Sequence, residues 1–333
     1  MRGAFIGFGN VAEQGHLPGW RTRGGVAMVA ATDPAASRRG AFLAACPDGR
    51  WYDTADALLA GEAPDFVDIC APPGSHAALI HRALDAGLHV LCEKPLVTRA
   101  PDALAVVEAA AQAGRIVHTV HNWLEAPICR RVSALIAERA IGAVRSIEWQ
   151  TLRTRPASAA DGGSNWRVDP VIAGGGILFD HGWHALYCVM RWAGGAPGSV
   201  TATLETRRFH QWPIEDTATL ELQHRAVAAR IHLTWAADER ANRLVVEGER
   251  GRIHVAGEFV VAELMSGERR FHCPPALSEG SHHPDWFAGV AEDFLAAASG
   301  SGASNLAEAV LCGRIIDLAQ RSSAAGGARL SLG

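Results

Sequence analysis

Over roughly its first 120 residues the chain alternates short apolar runs with helix-like stretches. This alternation constrains the fold most, because it is how strand, crossover helix and parallel strand read in sequence. The runs are Gly3 to Gly7, Val26 to Thr32, Phe66 to Ala71, His89 to Cys92 and Ile116 to Val120. Between them, His76 to Ala86 is closed by Gly87 and Asp102 to Ala113 by Gly114, the glycine expected just past a helix end. Right-handed crossovers in succession predict a doubly wound parallel sheet. From about residue 143 the pattern changes to period-2 segments, the sequence form of a largely antiparallel sheet: Val144 to Thr154, Ser199 to Phe209, Thr217 to Leu222, Val227 to Trp235, Leu244 to Glu247, Arg252 to Val255 and Phe259 to Met265. Two helical patterns follow, Asp285 to Ala298 and Leu306 to Arg321, the second with Asn305 and Glu308 placed as a capping pair. The expected division is a first domain over 1–122 and a second over 123–333, with the last helices able to pack back on the first.

Composition narrows the partners. With 48 % hydrophobic and 20 % charged residues the chain is far from a disordered profile. A net charge of -4 gives no basic field for nucleic acid or an anionic membrane, so a small-molecule partner is expected. No run approaches the ~20 apolar residues of a membrane span, and Asn10, Glu13 and His16 interrupt any leader-like run at the start. Seven scattered cysteines without a C-x-x-C pair suggest neither a disulfide framework nor a thiolate zinc site, and fit a reducing cytoplasm.

Gly7-Phe8-Gly9-Asn10-Val11-Ala12 follows the first strand and opens a helix, and Asp33 ends the second strand about 20 residues on. Gly7 permits a tight turn, Gly9 lets backbone approach a pyrophosphate, and small Ala12 permits close helix packing. The N–H groups at the helix start, at Asn10 and Val11, then face phosphate. Asp33 suits the adenosine ribose hydroxyls and repels a 2′-phosphate, which favours NAD; Arg38 and Arg39, on the following helix, are the residues either of which could neutralise that phosphate and admit NADP instead. The first domain therefore reads as a Rossmann fold, and the whole as an α/β chain with a C-terminal α+β domain. In such sheets ligands bind beyond the carboxyl ends of the strands, which here carry Ala71-Pro72-Pro73-Gly74-Ser75-His76 and Glu93-Lys94-Pro95.

The glycine turn, Ala71-Pro72-Pro73 with His76, Ala86-Gly87-Leu88-His89-Val90 leading into Glu93-Lys94-Pro95, Asn122, Trp166-Arg167, and Gly174-Gly175-Gly176 leading to Asp180 and His184 run nearly the whole length of the chain. In these motifs it resembles the Gfo/Idh/MocA family, named for glucose-fructose oxidoreductase, inositol dehydrogenase and a rhizopine catabolism protein. The resemblance implies NAD(P) as cofactor, with contacts from Ala71, Pro72, His76, Glu93, Lys94, Asn122, Trp166 and Arg167. It implies a catalytic set of Lys94, Asp180 and His184, a cis Lys94-Pro95 peptide, no metal, and a homodimer or homotetramer formed through the C-terminal sheet.

The residue chemistry agrees independently. Oxidising a secondary alcohol sends a hydride to nicotinamide and leaves a hydroxyl proton for a base. His184 suits that role, with an ordinary pKa near 6.5. Asp180 leaves the same helical face at i, i+4 if 179–192 is helical, and Lys94 can stabilise the developing alkoxide. The expected substrate is a sugar, cyclitol or related polyhydroxy compound. Two departures bear on it: Trp123 stands where many members have Arg, and Tyr187 where many have an acid, so both are candidate substrate contacts. A redox-elimination glycosidase of the same fold and a non-catalytic NAD(P)-binding sensor are the alternative functions.

Overall fold

The computed structural model of the chain describes residues 1–157 and 165–333. They form two compact units, one of Met1–Asn122 with Ser281–Val310, the other of Trp123–Gly280 with Leu311–Gly333.

In the first unit, strands β1 (Arg2–Ile6), β2 (Ala27–Thr32), β3 (Arg50–Tyr52), β4 (Phe66–Ile69), β5 (His89–Cys92) and β6 (Val117–Thr119) form a six-stranded sheet in the order β3-β2-β1-β4-β5-β6. Every pairing is parallel. The order reverses at β1, so the ligand crevice of a doubly wound fold lies beyond the ends of β1 and β4. Strand β3 escaped the sequence reading because it has three residues and no buried one. The segment from residue 281 belongs here for a packing reason: the helix Pro284–Ala298 buries Phe287 and Phe294 against Trp20 and Phe66. Asn305 precedes the helix Leu306–Ala324 and its carbonyl accepts the Ala309 N–H, but its side chain turns to a strand. Its side-chain amide accepts the Thr119 N–H at 2.8 Å and donates to the Thr119 carbonyl at 2.7 Å, while Glu308 pairs with His121.

The second unit is built on a nine-stranded sheet. Its strands are β7 (Val144–Leu152), β8 (Ser199–Glu205), β9 (Thr217–Gln223), β10 (Ala228–Thr234), β11 (Ala241–Gly248), β12 (Gly251–Ala256), β13 (Phe259–Leu264), β14 (Gly267–His272) and β15 (Leu330–Ser331), in the order β14-β13-β12-β11-β7-β10-β9-β8-β15. Only β7 and β10 pair in parallel. Alternate residues Ile147, Trp149 and Thr151 of β7, Leu220 and Leu222 of β9, and Leu244 and Val246 of β11 are buried. The intervening Glu148, Glu221 and Arg230 are exposed, the in-out pattern of a sheet covered on one face. Helix Trp183–Ala193, buried at nine of its residues, packs on β7 and β10 and carries His184 and Tyr187.

Candidate functional site

The turn after β1 needs glycine at Gly7 on two counts. Its φ is +90°, and a Cβ there would stand 2.8 Å from the Ala71 nitrogen and the Cys70 carbonyl carbon. Around Gly9 the opposite holds, since no atom lies within 4 Å of the place a Cβ would take. Asp33 braces this turn: one carboxylate oxygen accepts the Phe8 N–H and the other the Ala35 N–H, both at 2.8 Å. Lone pairs remain on each oxygen for ribose hydroxyls. Arg38 lies against Glu13, with 3.4 Å between guanidinium and carboxylate.

Beyond β4 and β5, His76 is fully buried, and its ring nitrogens lie 2.8 Å from the carbonyl oxygens of Pro95 and Ala71. It ties the Ala71-Pro72 loop to the Lys94-Pro95 segment, and burial lowers its pKa. A ring enclosed in this way shapes the wall and offers no nitrogen to a ligand, which revises the expected cofactor contact. The Lys94-Pro95 peptide is cis, and Glu93 accepts the Lys94 main-chain N–H at 2.9 Å. At the end of this unit the Asn122 side-chain oxygen is buried without a hydrogen-bond partner, a position that calls for a donor. Open space at Gly9, a carboxylate at Asp33 and an unpaired acceptor at Asn122 fit a dinucleotide.

In the second unit, Gly174 (φ +88°) ends the helix Pro170–Ala173, and the turn that follows is seated on Glu215. One Glu215 carboxylate oxygen accepts the N–H groups of Gly176 and Leu178 at 2.9 and 3.1 Å, and a Cβ on Gly176 would stand 1.8 Å from the Glu215 carbonyl oxygen. Burial raises the pKa of Glu215. Asp180 then sits on a π-helical turn, Leu178–Gly182, ahead of the α-helix; the expectation of a single α-helix from 179 is corrected in this respect. Its carboxylate is 3.1 Å from His181 Nδ1. Arg153, 2 % exposed, donates to the Leu152 and Ala241 carbonyls and to the Asn242 side chain. Burial lowers its pKa to about 10, Arg240 adding to the fall and Asp180 opposing it. Trp166 and Arg167 form a 3₁₀ turn with the guanidinium 4.4 Å over the indole.

His184 is the most enclosed of the candidate catalytic groups. Its ring stacks on Trp123 at 4.5 Å and 10°, and its Nδ1 is 2.7 Å from the Tyr187 hydroxyl, which also accepts the Trp123 main-chain N–H at 3.1 Å. Tyr187 is fully buried, and burial pushes its pKa well above the usual value. Trp123, 7 % exposed, also stacks with Trp149 at 5.8 Å and 28°. Of the two candidate substrate contacts, Tyr187 is corrected, since its hydroxyl is enclosed and committed to His184 and Trp123. Tyr187 and Trp123 hold the imidazole. The spacing from His184 to Tyr187 was visible in sequence, but the hydroxyl's second partner, on another element, was not.

Sequence reasoning also passed over a signal in plain view. Of 31 Lys and Arg residues, Lys94 is the only lysine. A chain that uses arginine at every other cationic position retains one compact ammonium, which differs from guanidinium in hydration and in the ease with which its pKa shifts. His16, Glu215 and Arg153 were missed as well, since their partners are distant in sequence.

A doubly wound sheet of order 3-2-1-4-5-6 with an open glycine turn, followed by a large mixed sheet, defines a two-unit dinucleotide-binding protein. Family models agree: an oxidoreductase family with an NAD-binding Rossmann fold matches residues 1–121, and a GFO/IDH/MocA C-terminal domain matches residues 129–254. The chain belongs to the GFO/IDH/MocA family of NAD-binding oxidoreductases. Among similar proteins, D-xylose 1-dehydrogenase (NADP(+)) 2 of Haloferax volcanii is 34 % identical over 156 residues, 47 % of this chain and 46 % of that protein. The chain thus spans about half the length of that relative. Oxidoreductase P35 of Formosa agariphila is 28 % identical over 250 residues, 74 % of this chain and 77 % of that protein. An oxidoreductase from Agrobacterium radiobacter, solved with NAD+, L-tartaric acid and magnesium, matches in fold with a TM-score of 0.88 at 22 % identity, covering 100 % of this chain and 98 % of that one.

Proposed function

We propose that the protein is an NAD(P)-dependent dehydrogenase or reductase that moves a hydride between nicotinamide and a secondary alcohol or ketone of a sugar, cyclitol or related polyhydroxy compound. The observation that carries this reading is the placement of the chain's one lysine in Glu93-Lys94-Pro95, at the carboxyl end of a strand in a NAD-binding sheet. The D-xylose dehydrogenase relative supports the substrate class.

Gly7, Gly9, Asn10, Val11, Asp33 and Asn122 would hold the dinucleotide, which supplies or accepts the hydride when bound. Lys94 stabilises negative charge on the reacting oxygen, as alkoxide in oxidation and by polarising the carbonyl in reduction. His184 exchanges the hydroxyl proton. The Tyr187 hydroxyl holds its Nδ1, and the stacked Trp123 fixes the ring plane. Asp180 orients substrate hydroxyls or the imidazole. The outer face of the nine-stranded sheet is assigned to self-association.

A thermal-shift screen of sugars, polyols and sugar acids in saturating NADH, followed by turnover measured through nicotinamide absorbance, tests the reading, because a bound ligand raises apparent stability. Turnover with added NAD(H) on a hit is expected. Turnover without added cofactor would reassign the protein to the redox-elimination glycosidases, and cofactor binding without turnover on any compound would make it a sensor.

A further inference from the structure

The buried charges of the first unit gather behind Lys94, around residues that have no assigned part in hydride transfer. Asp68 on β4, with no exposed surface, accepts the Trp20 indole N–H at 2.7 Å, faces His16 Nδ1 at 3.0 Å, and lies 3.4 Å from the Cys70 thiol. The same thiol is 3.2 Å from His16 Nδ1. The other ring nitrogen, Nε2, is 3.0 Å from one oxygen of Glu93, whose second oxygen accepts the Lys94 N–H at 2.9 Å. The ring also lies flat on Phe287, with centroids 3.8 Å and planes 16° apart. His16 closes the π-helical turn Ala12–His16, and widened turns of this kind recur at functional positions.

A histidine with a carboxylate on each ring nitrogen satisfies both only as imidazolium, since the neutral ring donates from one nitrogen. Burial works against that charge, yet Asp68 and Cys70 outweigh it and raise the pKa well above 6.5. Burial would likewise raise the pKa of Glu93, but the hydrogen bond and charge of His16, with the charge of Lys94, bring it down. Two carboxylates, one imidazolium and one ammonium leave the cluster balanced, the condition under which buried charges persist.

We propose that His16 is a positioning residue for Lys94: as an imidazolium strung between Asp68 and Glu93, it fixes the Glu93 carboxylate and, through it, the main chain of Lys94. The proposal rests on the reading of Lys94 as the group that meets the reacting oxygen. His16, Asp68 and Cys70 also have the composition and spacing of a metal cluster, their donor atoms all lying within 4.8 Å. A ring that carries a proton on Nδ1 cannot ligate through it, so the two arrangements exclude each other.

The sole lysine makes the test direct, because carbon-13 lysine labelling reports on Lys94 alone. In wild-type protein labelled with nitrogen-15 histidine, both His16 nitrogens should show imidazolium shifts at neutral pH and keep them when zinc is added. A deprotonated Nδ1, or one that loses its proton as an equivalent of zinc binds, overturns the proposal. His16→Gln removes the positive charge and puts an amide oxygen, an acceptor, where one ring nitrogen faced a carboxylate. It should move the Lys94 resonance and lower kcat on the order of 10²-fold by misplacing the ammonium, with KM and NADH affinity little changed. Glu93→Gln should move the same resonance and lower kcat to a similar extent, its NADH affinity being read separately because Glu93 is itself an expected cofactor contact, and the double variant should lower kcat no further than either single one, because the two residues act in series. An unmoved lysine resonance with unchanged kcat in either folded variant refutes the proposal; should His16→Gln fail to fold, the wild-type histidine signals and Glu93→Gln decide it. If the wild-type enzyme turns over no polyhydroxy compound, the reaction assignment falls, while the lysine resonance still decides the positioning.

Discussion

Replacing Tyr187 with phenylalanine removes one oxygen atom and keeps the ring that fills its place. That oxygen is 2.7 Å from His184 Nδ1 and 3.1 Å from the Trp123 nitrogen, and the tyrosine has no exposed surface. Two buried polar groups therefore lose a partner that water cannot replace. At about 1 to 3 kcal/mol for each group left unsatisfied, partly relieved by relaxation, the loss is about 2 to 4 kcal/mol. For a unit of this size that corresponds to a fall in Tm of roughly 4 to 16 °C. Activity should fall further than stability accounts for, because Nδ1 no longer has the hydroxyl that sets ring orientation and tautomer, and a misoriented imidazole costs on the order of 10²-fold in kcat. NADH affinity should hold. Differential scanning fluorimetry and steady-state kinetics on the same preparation read both effects. A Tyr187→Phe enzyme with unchanged Tm and kcat would refute the reasoning, since it would mean that the hydroxyl neither satisfies the Trp123 amide nor holds His184.

Other predictions follow from the same geometry. Asp216 is buried and accepts the N–H groups of Arg207, Arg208 and Phe209 and the Thr217 hydroxyl at 2.7 to 2.9 Å. Burial alone would raise its pKa, but the bonds from Arg207, Phe209, Arg208 and Thr217 bring it below the usual 3.8. Its stabilisation is thus complete above the ordinary aspartate range and disappears as pH falls through the lowered value, so Asp216→Asn should flatten the acid limb of a Tm-against-pH curve; an unchanged acid limb would contradict this. Gly176→Ala places a Cβ 1.8 Å from the Glu215 carbonyl oxygen, and should destabilise by roughly 1 to 3 kcal/mol or more in urea denaturation, with loss of turnover. Asp33, held by the Phe8 and Ala35 amides, should make NADH bind more tightly than NADPH, and Asp33→Asn should narrow the gap in fluorescence titrations; a wild-type preference for NADPH would overturn its role. Lys94→Arg keeps a positive charge but not its compact shape, and should be nearly as inactive as Lys94→Ala while still binding NADH.

The sequence exposed whatever depends on local pattern. Strands β1, β2, β4 and β5 are apolar runs with clear boundaries, and Gly7 and Gly9 sit in register between the first strand and the helix that follows it. Strand β14 was invisible because Glu268, Arg269 and Arg270 make it polar and exposed along nearly its whole length, and β15 because it has two residues. Both are held by pairing, with β13 and β8 respectively, which no local propensity encodes. The candidate site divides in the same way. Lys94, Asp180 and His184 stand in short recognisable motifs. The residues that hold them come from other elements, His16 reaching Glu93 and Asp68, Glu215 receiving the turn before Asp180, and the Trp123 amide completing Tyr187. Tyr187 shows the limit well, since its spacing from His184 suggested a shared face but only the complete burial of its hydroxyl turns a substrate donor into a support.

The sharpest measurement uses the single lysine. With carbon-13 lysine incorporated, NADH titrated into the protein should shift the one lysine side-chain resonance along the same saturation curve as nicotinamide fluorescence. Saturable NADH binding that leaves this resonance unmoved would place Lys94 away from the nicotinamide and contradict its part in hydride transfer.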